Sequence, residues 1–241
     1  MTKNKYLIAT ALAAFITMPF ASNAEELPAA APMAQEVQPL PAITNDAALD
    51  ASIRGLQSEW AVIKYQEQNK DEQEKKMSEL VKKATALSSQ YPSYAEPKVW
   101  EAIITSSQAG IKGGLGALGL VKHAKELLEQ AEKINPNALD GSIYTSLGSL
   151  YYQVPAWPVG FGDDKKARKY LEKAVAVNPN GIDPNYFYGD FLIEQDDYKG
   201  AIKVLEHALQ AAPRPGRELA DAGRKQEINV ALNKAHHELG E

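Results

Sequence analysis

The sequence predicts an all-α fold, a right-handed solenoid of antiparallel helix pairs with a C-terminal capping helix. Three observations predict it. Prolines recur in one context, at Tyr91-Pro92, Asn135-Pro136, Asn178-Pro179 and Ala212-Pro213, spaced 44, 43 and 34 residues apart. Each closes an amphipathic run that proline cannot continue, namely Leu80 to Gln90, Val121 to Ile134, Lys165 to Val177 and Lys199 to Ala211. No segment alternates apolar and polar residues as a half-buried strand does.

Residues 1–24 read as a secretory signal. Lys3 and Lys5 give the positive start, Tyr6 to Phe20 is an apolar run, and Ser22-Asn23-Ala24 places small residues before a cut at Glu25. The apolar run is too short to span a bilayer comfortably. Residues 25–45 carry Pro28, Pro32, Pro39 and Pro41 among alanines, which predicts a disordered tether with too little apolar area to fold. Residues 46–241 form the helical repeat domain, with no later stretch apolar enough to cross a membrane. The expected location is the periplasm.

The chain of 241 residues has 26 Lys plus Arg against 31 Asp plus Glu, a net charge of −5 and no cysteine. Lack of cysteine excludes disulfides, thiolate nucleophiles, sulfur-ligated zinc, iron–sulfur clusters and a lipidated N-terminal Cys. With no basic block, nucleic acid is not an expected partner.

The repeat is visible residue by residue. Tyr144, Leu147, Gly148 and Tyr151 fall on a first helix, and Ala167, Leu171, Ala174 and Pro179 on a second. Tyr188, Gly189 and Leu192, then Ala201, Leu205, Ala208 and Pro213, repeat the pattern. Gly148 and Gly189 are expected to let paired helices approach, with Ala167 and Ala201 facing them. Trp100, Ala124, Leu128, Ala131 and Pro136 make an earlier unit in phase, with Ile104 where the glycine is expected. Asp46 to Gln90 supplies another pair, with Leu49, Ile53, Leu56, Trp60 and Ile63 on one face. The last helix, near Arg217 to Leu239, has the stripe Leu219, Ala222, Ile228, Leu232, Ala235 and Leu239. Arg224, Lys225, Glu227, Lys234 and Glu238 are expected to face water, as a capping helix requires.

On these residues the chain resembles the tetratricopeptide repeat family. Residues 138–213 carry two units, 95–136 part of one, and the first pair shares the helical pattern alone. The resemblance implies stacked helix pairs whose concave face binds other proteins or peptides. Through its signal, helix pairs and Gly-rich interruptions, the chain also resembles the periplasmic helical-repeat T component of TRAP transporters. That resemblance implies an oligomer passing a hydrophobic ligand through a pore between helices.

Two insertions separate first and second helices. One is Gln153 to Gly162, the other roughly Ser107 to Gly119. Equivalent loops of neighbouring units emerge on one edge, so the two are expected to touch. Trp157 and Phe161, set among Pro155, Pro158, Gly160 and Gly162, either anchor a partner or fold back to plug the opened turn. Of 19 aromatic residues, 11 lie between Tyr144 and Tyr198, more than the repeat positions there need. Tyr151, Tyr152, Tyr186 and Phe187 join Trp157 and Phe161 as candidate partner-binding residues.

Catalytic motifs fail on context. Gly114-Leu115-Gly116-Ala117-Leu118-Gly119 spells a dinucleotide motif, but a helical run precedes it and no strand follows. His236 and His237 are adjacent on a helix and point about 100° apart, with no acidic partner at ligand spacing. Asp163-Asp164, Asp196-Asp197 and Asp183 stand where carboxylates cap helices. Arg214, Arg217 and Arg224 form a basic cluster that suits salt bridges or an anionic ligand. No metal, cofactor or enzymatic activity is implied. The expected function is that of a periplasmic adaptor or scaffold binding a partner protein or peptide through its concave face and the aromatic loop. The alternative is a small-ligand carrier or transport accessory, and exposed repeat edges leave room for a homo-oligomer.

Overall fold

The structure, a computed structural model, describes residues 39–240. The expected signal at 1–24 and most of the expected tether lie outside the described residues.

Helices begin where side chains satisfy free backbone N–H groups. Asp46 accepts from the amides of Ala48 and Leu49 and starts α1, Ala47–Tyr65. Asn69 does the same for α2, Lys70–Gln90. Pro97 lies in the first turn of α3, Glu96–Lys112. A 3-10 turn at Leu115–Ala117 leads into α4, Leu118–Ile134. Next come α5, Ser142–Gln153, and α6, Asp164–Val177, the latter capped by Asp163. The last three are α7, Ile182–Glu194, α8, Tyr198–Leu209, capped by Asp197, and α9, Glu218–Leu239. Pro92, Pro136 and Pro179 each follow a helix end by two residues. No strand forms among the described residues, and none of their helices is long and apolar enough to cross a membrane.

Successive helices pack as antiparallel neighbours, giving an all-α helical-repeat solenoid. Odd-numbered helices also contact one another, so they form the inner layer. The core is correspondingly divided. Leu49, Ile53, Leu80 and Ile104 fill the space among α1, α2 and α3. Val99, Leu128, Ile143 and Leu147 fill α3 to α5. Tyr151, Leu171 and Phe191 join α5, α6 and α7, while Leu192, Leu205 and Ile228 join α7, α8 and α9. Apart from Ala220 of α9, which joins the cluster of α1 to α3, each cluster serves adjacent helices, the stacking logic of a repeat protein.

The glycines in the pairs work as expected, but against different partners. A Cβ at Gly148 would stand 2.6 Å from Leu171 Cγ, and one at Gly189 would stand 2.5 Å from Leu205 Cγ. The leucines of the second helices, rather than Ala167 and Ala201, occupy the space the glycines leave.

The largest departure from expectation is α9. It packs on α8 and α7, and also on α1, so the inner layer α1, α3, α5, α7, α9 returns to its start. Ala220 is buried in the core of α1 to α3. The Tyr65 ring lies so close over Gly223 that no side chain fits there. Lys64 Nζ reaches Glu227 Oε1 at 3.0 Å. Arg224 is therefore inside, 5% exposed, and Glu227 is half-buried; neither faces water as the stripe suggested. Ala222, assigned to the apolar stripe, is exposed, and Ala220, Ile228, Ala231 and Ala235 form the buried face.

Pro39–Asn45, read from the sequence as the end of a tether, lies against the repeat domain. Asp50 accepts the amides of Ile43 and Thr44 at 2.7 Å each and the Thr44 hydroxyl at 2.6 Å. Burial alone would raise its carboxyl, but these hydrogen bonds outweigh it and hold the group below the usual carboxylate range.

Candidate functional site

Closure of the inner layer leaves a cavity of about 560 Å³ lined from α1, α2, α3, α5, α7 and the start of α9. One wall follows directly from helical periodicity. Ser142, Ser146 and Ser149 on α5 recur at steps of four and three, so they share one face and line the cavity. Ile143, Leu147 and Leu150 take the opposite, buried face. A second wall is aromatic. Trp60 and Trp100 meet edge to face, 6.0 Å between centroids, and Trp60 Nε1 donates to Ser107 Oγ at 2.9 Å. Tyr186 and Phe187, again edge to face, complete it from α7.

The third wall is ionic. The Asp183 carboxylate accepts from Arg214 Nη1 at 2.6 Å and Arg224 Nε at 2.8 Å. Arg214 also binds Asp221 through Nε at 2.7 Å, and Arg224 binds Glu227 through Nη1 at 2.6 Å. The Arg224 guanidinium sits 4.3 Å from the Tyr186 ring centre and 4.7 Å from that of Phe187, within cation–π range. Burial alone would raise the Asp183 carboxyl, but Arg224, Arg214 and Arg217 outweigh it and hold it well below the carboxylate range. Asp183 is thus an ionic hub and not a helix cap. The salt-bridge use expected of Arg214 and Arg224 is present: Arg224–Glu227 runs along α9, and Asp183 additionally ties both arginines to α7.

A second place forms at the edge. The two insertions face each other across a cavity of about 460 Å³ lined by Leu115, Leu118, Val121, Val154, Pro155 and Val159, among others. In the later insertion, Gly162 N–H donates to the Pro155 carbonyl at 3.0 Å, folding the loop back on itself. Trp157 is 85% exposed and Leu115 80% exposed. Such side chains on paired, sharply turned loops form an apolar rim.

The candidate aromatics therefore separate. Phe161 packs edge to face on Tyr151 and belongs to the core margin, so it plugs the opened turn while Trp157 does not. Tyr151 is 5% exposed and lies parallel to Tyr170, 5.7 Å between centroids; it is a core residue and not a surface contact. Tyr152 is half-buried, with its hydroxyl donating to Asp190, and burial with that neighbour pushes the phenol well up. Tyr186 and Phe187 line the central cavity.

Sequence reasoning passed over the α5 serines and the Trp60–Trp100 pair as site residues. The serine spacing was a usable signal. The tryptophans carried none, because apolar stripes look alike whether they meet a core or a cavity.

Residues 160–223 match the family model described as tetratricopeptide repeat, a stretch running from the second insertion through α6, α7 and α8 into α9. With helix pairs in phase on either side of it, this stretch of the chain is similar to tetratricopeptide repeats. No curated protein matches it.

Proposed function

We propose that this protein is a non-enzymatic tetratricopeptide scaffold of the periplasm that docks a partner protein on the edge formed by its two insertions. The observation that carries this reading is the apolar rim, with Leu115 and Val159 exposed at one cavity and Trp157 exposed two residues before Val159 in the same loop. Apolar surface of this kind on adjacent loops favours protein contact, and a large aromatic is the commonest energetic anchor. The concave face is a poorer docking surface than the resemblance implies, since α9 closes it to about 560 Å³. The charged start and small-residue cut site support export, and sequencing of the exported chain is expected to begin at Glu25.

The test is crosslinking in the cell envelope with wild type and a Leu115→Ser, Trp157→Ala variant. Specific proteins lost in a variant of unchanged helicity support the scaffold. Equal capture by both chains, or none by wild type, refutes it. A small-ligand carrier is a second reading, favoured by the central cavity, whose volume lies in the range of about 300–1,000 Å³ typical of small-molecule sites.

A further inference from the structure

We propose that the central cavity binds a small organic monocarboxylate with an apolar or aromatic body, received by the Arg217 guanidinium and the Trp100 indole N–H. This deepens the carrier reading and rests on it for one point only, that a small molecule occupies the cavity.

Four cations, Lys64, Arg214, Arg217 and Arg224, gather around the ionic wall with three carboxylates, Asp183, Asp221 and Glu227. Lys64 pairs with Glu227, Arg214 with Asp183 and Asp221, and Arg224 with Asp183 and Glu227. The Arg217 side chain makes no hydrogen bond or ion pair with the described residues, and its Nε is buried without a partner. One positive charge is left uncompensated in a chain whose net charge is −5.

Directly beside it, the Arg217 guanidinium carbon stands 5.0 Å from the Trp100 ring centre. Trp100 is 3% exposed, and its Nε1 is likewise buried without a partner. Native proteins rarely leave buried donors unpaired, so two from neighbouring residues on one cavity wall mark a place for an acceptor. Burial, and then the nearby Arg214 charge, pull the Arg217 proton affinity down to about 10, the direction expected of a cation awaiting its counter-ion.

The remaining lining fits the rest of such a molecule. Trp60, Tyr186 and Phe187 offer faces and edges to an apolar body, while Ser146 and Ser149 offer hydroxyls to a polar substituent. The surplus of one charge selects a monoanion. A dicarboxylate would have to displace Asp183 or Glu227 from arginines already engaged in charge-assisted hydrogen bonds.

The probes are phenylacetate and octanoate, with phenylacetamide and octanamide as uncharged isosteres, titrated into the full chain carrying Trp157→Phe. That background leaves emission to Trp60 and Trp100, both at the cavity. The carboxylates are expected to shift the emission saturably and to bind at least about tenfold tighter than the amides, a factor worth ~1.4 kcal/mol. Arg217→Gln is expected to erase that preference and Arg217→Lys to restore part of it, with helicity unchanged in both. Amides binding as well as carboxylates, or a preference that survives Arg217→Gln, overturns the anion site and leaves the carrier reading standing. Inorganic phosphate competing as well as the carboxylates overturns the carboxylate assignment. No saturable signal from any probe overturns the cavity as a ligand site, and the carrier reading with it.

Discussion

Replacing Asp183 with asparagine removes the charge that holds two arginines in place while keeping the side chain's size. Stripping one partner from a buried ion pair costs about 3–5 kcal/mol, most of it the desolvation of the charge left behind. Here Arg214 keeps Asp221 at 2.6 Å and Arg224 keeps Glu227 at 2.6 Å, while Asp183 itself is 28% exposed. The loss is therefore placed at the lower end, about 2–3 kcal/mol. For a domain of this size it lowers Tm by about 5–10 °C. The pH dependence follows from the depressed native carboxyl. Its stabilisation is complete above the unfolded value of about 3.9 and drains away as pH falls from there through the native value. Asp183→Asn has no such group to lose. Thermal melts by circular dichroism should show the full gap near pH 7, narrowing as the pH drops below about 4. A variant melting within about 1 °C of wild type near pH 7, or a gap unchanged by acid, would refute the hub.

Gly189→Ala should cost about 1–3 kcal/mol by pressing a methyl onto Leu205, read as a lower denaturant midpoint. An unchanged midpoint would mean that Leu205 yields freely. Gly223→Ala should push the Tyr65 ring off α9 and speed amide exchange in α1 and α9 while α4 to α6 keep their protection. Asp50→Ala should free the amides of Ile43 and Thr44 and open Pro39–Asn45 to proteolysis, with little change in global helicity. Arg217→Met should raise Tm without ligand, since the buried cation it removes has the Trp100 ring beside it but no hydrogen-bonded or ion-paired carboxylate among the described residues; a lower Tm would make Arg217 structural.

Helix boundaries were legible because their determinants are local. Asp163 and Asp197 cap the helices they precede, and the prolines end those they follow. Tyr151 was also readable, since Tyr144, Leu147, Gly148 and Tyr151 keep one helical phase and share its buried face. Treating it as a contact residue ignored that phase. Arg224 was not readable. It lies 41 positions from Asp183, and a charged residue beside an apolar stripe looks the same whether it meets water or a carboxylate on another helix. The exposure of Trp157 was equally hidden, because it follows from how Gly160 and Gly162 turn the loop. The Pro155 carbonyl fills the space where a side chain on Gly160 would go, and the Val154 carbonyl fills that of Gly162.

The contact of α9 with α1 also governs how such a protein can change over evolutionary time. An open array gains or sheds a unit at either end with little consequence, because each unit meets only its neighbours. Here the first and last inner helices share a seam, sealed by the Tyr65 ring on Gly223 and the Lys64–Glu227 pair. An extra unit would widen the circumference and part that seam. Loss of the unit that carries α7 would take Asp183 away from Arg224. The number of repeats is therefore set by the diameter at which the two ends meet, and duplication, the usual way repeat proteins grow, is closed to this one.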